Sequence, residues 1–383
     1  MPEDALTGAL LGRVWRPGSP AGPSPVAIRA EGVVDLSGHA PTSAALCARD
    51  DAVDLVRNAE GENLGSVESV LANSSADQRS TSAPYFLAPC DLQAVKACGV
   101  TFVRSMLERV IEEQAKGDPD QAAEIRRAIA AEVGETIGNI VPGSDEAARV
   151  KALLVERGLW SQYLEVGIGR DAEVFTKCQI MGGVGTGAEI GILETSTWNN
   201  PEPEVVLVIT ADGKTVGATL GNDVNLRDVE GRSALLLGKA KDNRASAAVG
   251  PFIRLFDDGF GIGDVRSMTI RLTVEGEDDG FRLDGSSSLS EISRDPLDLA
   301  AQACGANNHY PDGLVLYTGT MFAPTDDRDA PGQGFTHHLG DVVTIATPLL
   351  GALRNRVNYS HRLPRWTFGT GALMANLAAR GLL

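Results

Sequence analysis

Three acidic residues, Glu202, Glu204 and Asp223, fall within the stretch WNNPEPEVVLVITADGKTVGATLGNDVNLRD that runs from 198 to 228. Two β-type runs in it, VVLVIT and TVGATL, flank Asp212-Gly213, a dipeptide that tolerates the positive backbone angles of a two-residue hairpin turn. With 212 and 213 as the central turn residues, Glu202 lies opposite Asp223 and Glu204 opposite Gly221. Side chains alternate along a strand, and cross-strand partners share a face, so the three carboxylates converge on one patch.

Carboxylates that close repel one another, and without a cation at least one must keep its proton. A hard divalent ion removes the conflict. Oxygen-only ligands favour magnesium or manganese, with calcium as a substitute, and leave coordination positions open for water or substrate. The same spacing also fits a solvated acidic hairpin face that holds no ion. Pro203 lacks a ladder N–H and points to an edge strand.

The elements that must position these groups are legible around them. The 383 residues are enough for two or three domains, and 43% hydrophobic with 22% charged residues is ordinary globular usage. A formal charge of −17 repels phosphate backbones and anionic lipid, which argues against nucleic acid or a membrane surface as partner, although a local basic pocket could still take an anionic metabolite. Five scattered cysteines with no C-x-x-C pair argue for a reducing compartment, the cytoplasm by default. Neither a leader nor an apolar run of about 18 residues is evident, so secretion and membrane spanning are not expected.

Residues 8 to 40 read as short strands, ALLGRVW, PVAIRA and VVDL, the last two joined at Glu31-Gly32, and residues 58 to 85 as a polar connection. Three helices are expected next: one with Val103, Met106, Leu107, Val110 and Ile111 on a face and ending at Gly117, one from Asp118 to Gly134, and one from the Ser144 cap to Gly158. Strands and glycines dominate from 160. The division expected is 1–87 as a small β-rich unit with its connection, 88–160 as a helical bridge, and 161–383 as the catalytic domain. Gly183-Val184-Gly185 with Ala188 satisfies a loose dinucleotide pattern, but AEIGILETS after it reads as extended where a helix is required. His337 and His338 are adjacent, which puts them on opposite sides of an extended chain and suits a loop or a partner-facing role.

The acidic stretch and its surroundings resemble the fumarylacetoacetate hydrolase superfamily. The matching pieces are Glu202-Pro203-Glu204, Asn222-Asp223-Val224, Lys239 in GKAKDN, AEVFTK with Glu173, and Thr318-Gly319-Thr320. Within it the chain is most similar to the sugar-acid branch, the 2-keto-3-deoxypentonate dehydratases, through GLWSQYLEV, TWNNPEPEVV, GNDVNLRDVEGRSALLLGKAKDN, SRDP, YPDG, GTMFAP, DRDAPGQGFTH and WTFG. The superfamily hydrolases carry H-x-x-E where GVTFVRSMLE offers Ser105-x-x-Glu108, so the base for C–C hydrolysis is missing.

The resemblance implies an α+β fold, a mixed β-roll with a small β-rich amino-terminal domain, assembled as a homodimer or homotetramer. It implies Mg2+ (Mn2+ or Ca2+ in its place) on Glu202, Glu204 and Asp223, and a 2-oxo sugar acid as substrate. The activity implied is dehydration of a 2-keto-3-deoxypentonate, foremost the D-xylonate derivative, to 2,5-dioxopentanoate in oxidative pentose breakdown. Lys239 would stabilise the oxyanion, Glu173 carry a proton or serve as a fourth acidic group, and Thr320 bind the carboxylate. Arg104, Ser105, Glu108 and Arg227 would contact hydroxyls, and the loop MGGVGTGAEIG is a further candidate for substrate contact. An acylpyruvate-type C–C hydrolase or decarboxylase, or a silent sugar-acid binder, stands as the alternative.

Overall fold

The computed structural model describes residues 1–4, 7–102, 106, 110, 127, 140–158, 160–322, 326–330 and 334–383. Its strands, in chain order, are β1 (Leu10–Arg16), β2 (Gly22–Arg29), β3 (Gly32–Asp35), β4 (Tyr85–Phe86), β5 (Ala94–Gly99) and β6 (Glu173–Cys178). There follow β7 (Glu189–Ile192), β8 (Asn199–Asn200), β9 (Pro203–Ile209), β10 (Thr215–Asp223), β11 (Asn225–Leu226) and β12 (Ala247–Leu255). The last are β13 (Thr269–Glu275), β14 (Arg282–Ser288), β15 (Leu314–Tyr317), β16 (Val342–Thr347) and β17 (Gly351–Tyr359).

The larger sheet runs β3-β2-β1-β12-β10-β9-β15-β5-β6, with β4 on β1; the smaller runs β14-β13-β16-β17-β7, and β8 pairs with β11. Beyond β6 the chain comes back to form a bridge from Val184 to Ala248 of β12, so the sheet rolls toward its own middle. Closure does not follow, because β1 occupies the far end of that edge of β12 through Leu10↔Arg254.

Both faces of the roll are covered, which is why β9 continues after Glu204 as the unbroken apolar run VVLVI. Val205, Leu207 and Ile209 pack toward Ile270, Leu272 and Ile345 of the smaller sheet. Val206 and Val208 pack on the other face with Tyr317, Val249, Leu46 and Val56.

The expected amino-terminal strands form, but they extend the main sheet instead of standing apart, because β1 finds a free edge on β12. The segment read as a polar connection contains a helix, Val67–Ala72, whose Ser66 side chain accepts from Ser69 N–H. In the segment expected to be a helical bridge, the Ser144 cap forms: its hydroxyl accepts from Ala147 N–H at the start of Asp145–Glu156, and Gly158 follows at φ +69°. Met106 and Val110 are helical and buried with Leu164 and Ile168. The rest of that first helix, and the second apart from Arg127, lie outside the described residues.

The central hairpin has the expected register at its open end: Gly221 pairs with Glu204 and Asn222 with Pro203. It arrives there by another route. Only Gly213 has a positive φ, +83°, and Thr210 N–H donates to Lys214 O, so the loop holds three residues, not two. That offsets Thr215↔Ile209 by one position, and a bulge at Val216 restores the frame by Gly217↔Val208. Pro203 is not on an edge strand, since β9 lies between β10 and β15; as the first residue of the strand it escapes the ladder all the same. Among the described residues no helix is long and apolar enough to cross a membrane.

Candidate metal centre and active site

Six neighbouring strands bring their ends to one rim of the roll. There β12, β9 and β6 begin while β10, β15 and β5 end. Glu202 and Glu204 stand at the start of β9 and Asp223 at the end of β10. Their exposures are 6%, 1% and 1%, and one oxygen of each lies within 4.8 Å of the others. The sequence expectation of a converging trio is met, and its solvated alternative is not.

Burial and neighbours of like charge set the electrostatics. Loss of water, then Asp223 and Glu202, push the Glu204 carboxyl well above its ordinary range. Two buried lysines partly relieve the cluster. Lys241 Nζ reaches Glu202 Oε2 at 2.6 Å and Asp223 Oδ2 at 3.1 Å, and Lys177 Nζ lies 2.8 Å from Asp223 Oδ1. Burial alone would lower Lys241, but Asp223 and Glu202 outweigh it and hold the ammonium above its ordinary value.

Polar groups of the backbone and side chains fix the carboxylates in place. Gly319 N–H donates to Glu204 Oε2 at 2.6 Å, Asn225 Nδ2 donates to Glu202 Oε1 at 3.0 Å and to Glu230 Oε2 at 2.6 Å, and Asn222 Oδ1 accepts from Glu202 N–H. Lys177 also donates to Val224 O, Lys241 O and Ser246 Oγ. Two ammonium groups pair with Glu202 and Asp223, whereas Glu204 has no ion pair among the described residues. That donor set fits a hard divalent cation.

The lysine expectation needs correcting. Lys239 is exposed, and the lysine that meets the carboxylates is Lys241. Both lie on the helix Leu237–Lys241, where two positions are about 200° of rotation, so only one can face inward. The motif GKAK contains both, and spacing alone could not choose between them.

Glu173 opens β6 opposite Gly99 and is half-buried at the same rim; it is not one of the three converging oxygens. Phe175, two residues on, lies under Lys241 Nζ, 5.9 Å from its ring centroid. Thr320 directly follows Gly319, its hydroxyl accepting from Phe322 N–H at 3.1 Å. Arg227 begins the helix Arg227–Glu230 and stacks on Trp198 at 4.5 Å. Arg104, Ser105 and Glu108 lie outside the described residues.

Sequence reasoning assigned no role to Lys177, Asn225 or Gly319. Lys177 was visible as the last residue of AEVFTK, but its aim depends on a bulge: Val95 pairs with Cys178 and Lys96 with Thr176, which leaves Lys177 as the extra residue turned toward Asp223. The two adjacent histidines lie in a loop and face different surroundings, as expected. His337 is buried against Asp341 at 3.0 Å, whereas His338 lies nearer the surface between Asp278 and Asp329.

Known proteins resemble the chain in sequence and in fold. Residues 183–358 match the family model described as fumarylacetoacetate (FAA) hydrolase C-terminal. The chain is 30% identical over 178 residues to a 2-dehydro-3-deoxy-D-arabinonate dehydratase of Saccharolobus solfataricus, covering 46% of this chain and 58% of that one. It is 31% identical over 202 residues to a probable 2-keto-3-deoxyxylonate dehydratase of Haloferax volcanii, covering 53% and 65%. The match thus spans roughly three-fifths of the length of these relatives. Among solved structures, a 2-keto-3-deoxy-D-arabinonate dehydratase complexed with magnesium and 2,5-dioxopentanoate superposes at TM-score 0.62 with 21% identity, over 91% of this chain and 99% of that one. A 5-carboxymethyl-2-hydroxymuconate delta-isomerase from Mycobacterium smegmatis gives 0.51 at 18% identity, over 91% and 98%. The fold is therefore of the fumarylacetoacetate hydrolase type.

Proposed function

From the premise that residues 183–358 are a fumarylacetoacetate hydrolase C-terminal domain, we propose that the protein is an Mg2+-dependent sugar-acid dehydratase. It removes water from a 2-keto-3-deoxypentonate, foremost the D-xylonate derivative, to give 2,5-dioxopentanoate in pentose breakdown. The observation that carries this reading is the buried trio Glu202, Glu204 and Asp223 with Lys241 against it. The substrate class is supported by the names of the relatives, both of which are pentonate dehydratases.

Glu202, Glu204 and Asp223 would hold the ion, Mn2+ or Ca2+ serving as substitutes. When bound, it supplies a Lewis acid beside the 2-oxo and carboxylate oxygens of the substrate. Lys241, held protonated by its carboxylate partners, takes the role expected of Lys239 and offers N–H to the oxygen on which enolate charge develops. Lys177 keeps Asp223 from turning away, and Gly319 N–H does the same for Glu204. Thr320 presents its hydroxyl to the substrate carboxylate, and Glu173 moves the proton between C3 and the departing C4 hydroxyl. Arg104, Ser105, Glu108 and Arg227 read the remaining hydroxyls. The reaction loses H from C3 and OH from C4; a proton then passes from C5 to C3, and the resulting C5 enol tautomerises by taking a proton at C4, giving the aldehyde with no net oxidation, so no redox cofactor is required. Five unpaired thiols support a reducing, cytoplasmic setting, and we place the enzyme as a homodimer or homotetramer.

The test is incubation of enzyme, Mg2+ and 2-keto-3-deoxy-D-xylonate, with detection of the 2,5-dioxopentanoate aldehyde. Aldehyde that disappears with EDTA supports the proposal. Cleavage of an acylpyruvate instead identifies a hydrolase or decarboxylase, and tight binding without turnover identifies a silent binder.

A further inference from the structure

A second cavity, of about 540 Å³, lies between β1, β4, the glycine-rich loop after β6 and the carboxyl-terminal segment 363–368, and shares no lining residue with the carboxylate trio. Its charge runs against that of the chain. The whole sequence has 34 basic to 51 acidic side chains, whereas the cavity is lined by Arg13, Arg79 and Arg365 with Glu189 as its acidic member. Asp91 balances Arg13 from behind at 3.7 Å, and Glu189, which accepts from Asn358 Nδ2, also acts on Arg79 through its charge. Arg79 has no carboxylate within ion-pair distance among the described residues. Burial lowers the pKa of its guanidinium, which lies over the Tyr85 ring at 4.4 Å and donates to Ser74 O. Arg365 is exposed at the mouth.

The walls are aromatic. Two of the four tryptophans in the chain, Trp15 and Trp366, line the cavity with Tyr85 and Phe368, and Trp15 meets Phe368 edge-on at 5.2 Å. Flat apolar walls and three guanidinium groups against one lining carboxylate suit a ring-bearing anion, through stacking and charge-assisted hydrogen bonds. The glycine pattern around Gly183 and Gly185, rejected as a dinucleotide fingerprint, finds its place here: residues without side chains let the loop lie against Leu87 and Ala88 and form one wall. Trp15, Arg79, Tyr85 and the 363–368 segment all lie outside residues 183–358, so most of this cavity is outside the residues that match the family model.

We propose that this cavity is a second small-molecule site, distinct from the reaction centre, that takes a small aromatic anion such as an aryl carboxylate. The loop wall gives it a path to the centre, because Val184 N–H donates to Ala247 O and Ala247 pairs with Asp223.

The experiment is calorimetric titration of the full chain in EDTA with indole-3-acetate, its neutral amide, and acetate. EDTA removes divalent metal, which would otherwise offer the carboxylate a place at the trio. Indole-3-acetate should bind once per chain, with the amide and acetate each at least tenfold weaker. Arg79→Gln and Trp366→Ala should each weaken it at least tenfold, and Glu204→Gln should leave it unchanged. Trp366 is 42% exposed, so its replacement leaves the core intact. No saturable binding, equal binding of the three probes, binding that survives both cavity variants, or binding lost in Glu204→Gln each overturns the proposal.

Discussion

Replacing Lys241 with methionine removes one of two cations from a pocket of three buried carboxylates and leaves Glu202 without the Nζ at 2.6 Å. Breaking a buried ion pair by removing one partner costs roughly 3–5 kcal/mol, because the remaining charge stays buried and uncompensated. Lys239→Met, two residues away, changes an exposed side chain and should stay within about 0.5 kcal/mol of wild type. The assay is urea unfolding of wild type and both variants, in EDTA and in Mg2+. At about one hundred times its Kd the ion should stabilise wild type by about 2.7 kcal/mol. Lys241→Met should gain more, since the added double charge also replaces the missing ammonium, and the gap to wild type should narrow. The reasoning is refuted if Lys241→Met loses less than about 1 kcal/mol in EDTA, if Lys239→Met matches it, or if Mg2+ leaves the gap unchanged.

Gly319→Ala should lower the melting temperature and weaken divalent-ion binding together, since Gly319 sits at φ +91° and an added Cβ would lie 2.0 Å from Thr101 Oγ1; unchanged ion affinity by calorimetry would show that its N–H does not hold Glu204. Asp279, whose carboxyl is depressed chiefly by its hydrogen bond to Arg328, contributes stability that is present above the unfolded carboxyl range and lost as pH falls through its folded value. Urea midpoints of Asp279→Asn should therefore fall below wild type at pH 6 and converge with it in acid, and parallel curves would contradict this. Ser144→Ala should cost about 1 kcal/mol, read by chemical unfolding, through loss of the cap on Ala147 N–H.

What the sequence made legible were features set by local chemistry. The acidic trio followed from strand alternation plus one turn, and it survived a wrong turn type because the three-residue loop and the Val216 bulge offset each other. The Ser144 cap and the Gly158 stop were readable for the same reason. What stayed hidden depends on contacts far apart in the chain. Choosing Lys241 over Lys239 requires the direction in which a short helix faces, and aiming Lys177 requires the partner strand that creates its bulge. Attaching β1–β3 to the main sheet requires the free edge of β12, some 240 residues away, and the cavity at Arg79 is assembled from both ends of the chain.

Manganese titration followed by electron paramagnetic resonance tests the central claim most directly, because it counts bound ions without reference to any substrate. One tightly bound ion per chain in the wild type, lost in Glu204→Gln and in Asp223→Asn but kept in Lys239→Met, is the predicted result. No stoichiometric ion in the wild type, or one that persists in both carboxylate variants, would contradict the account.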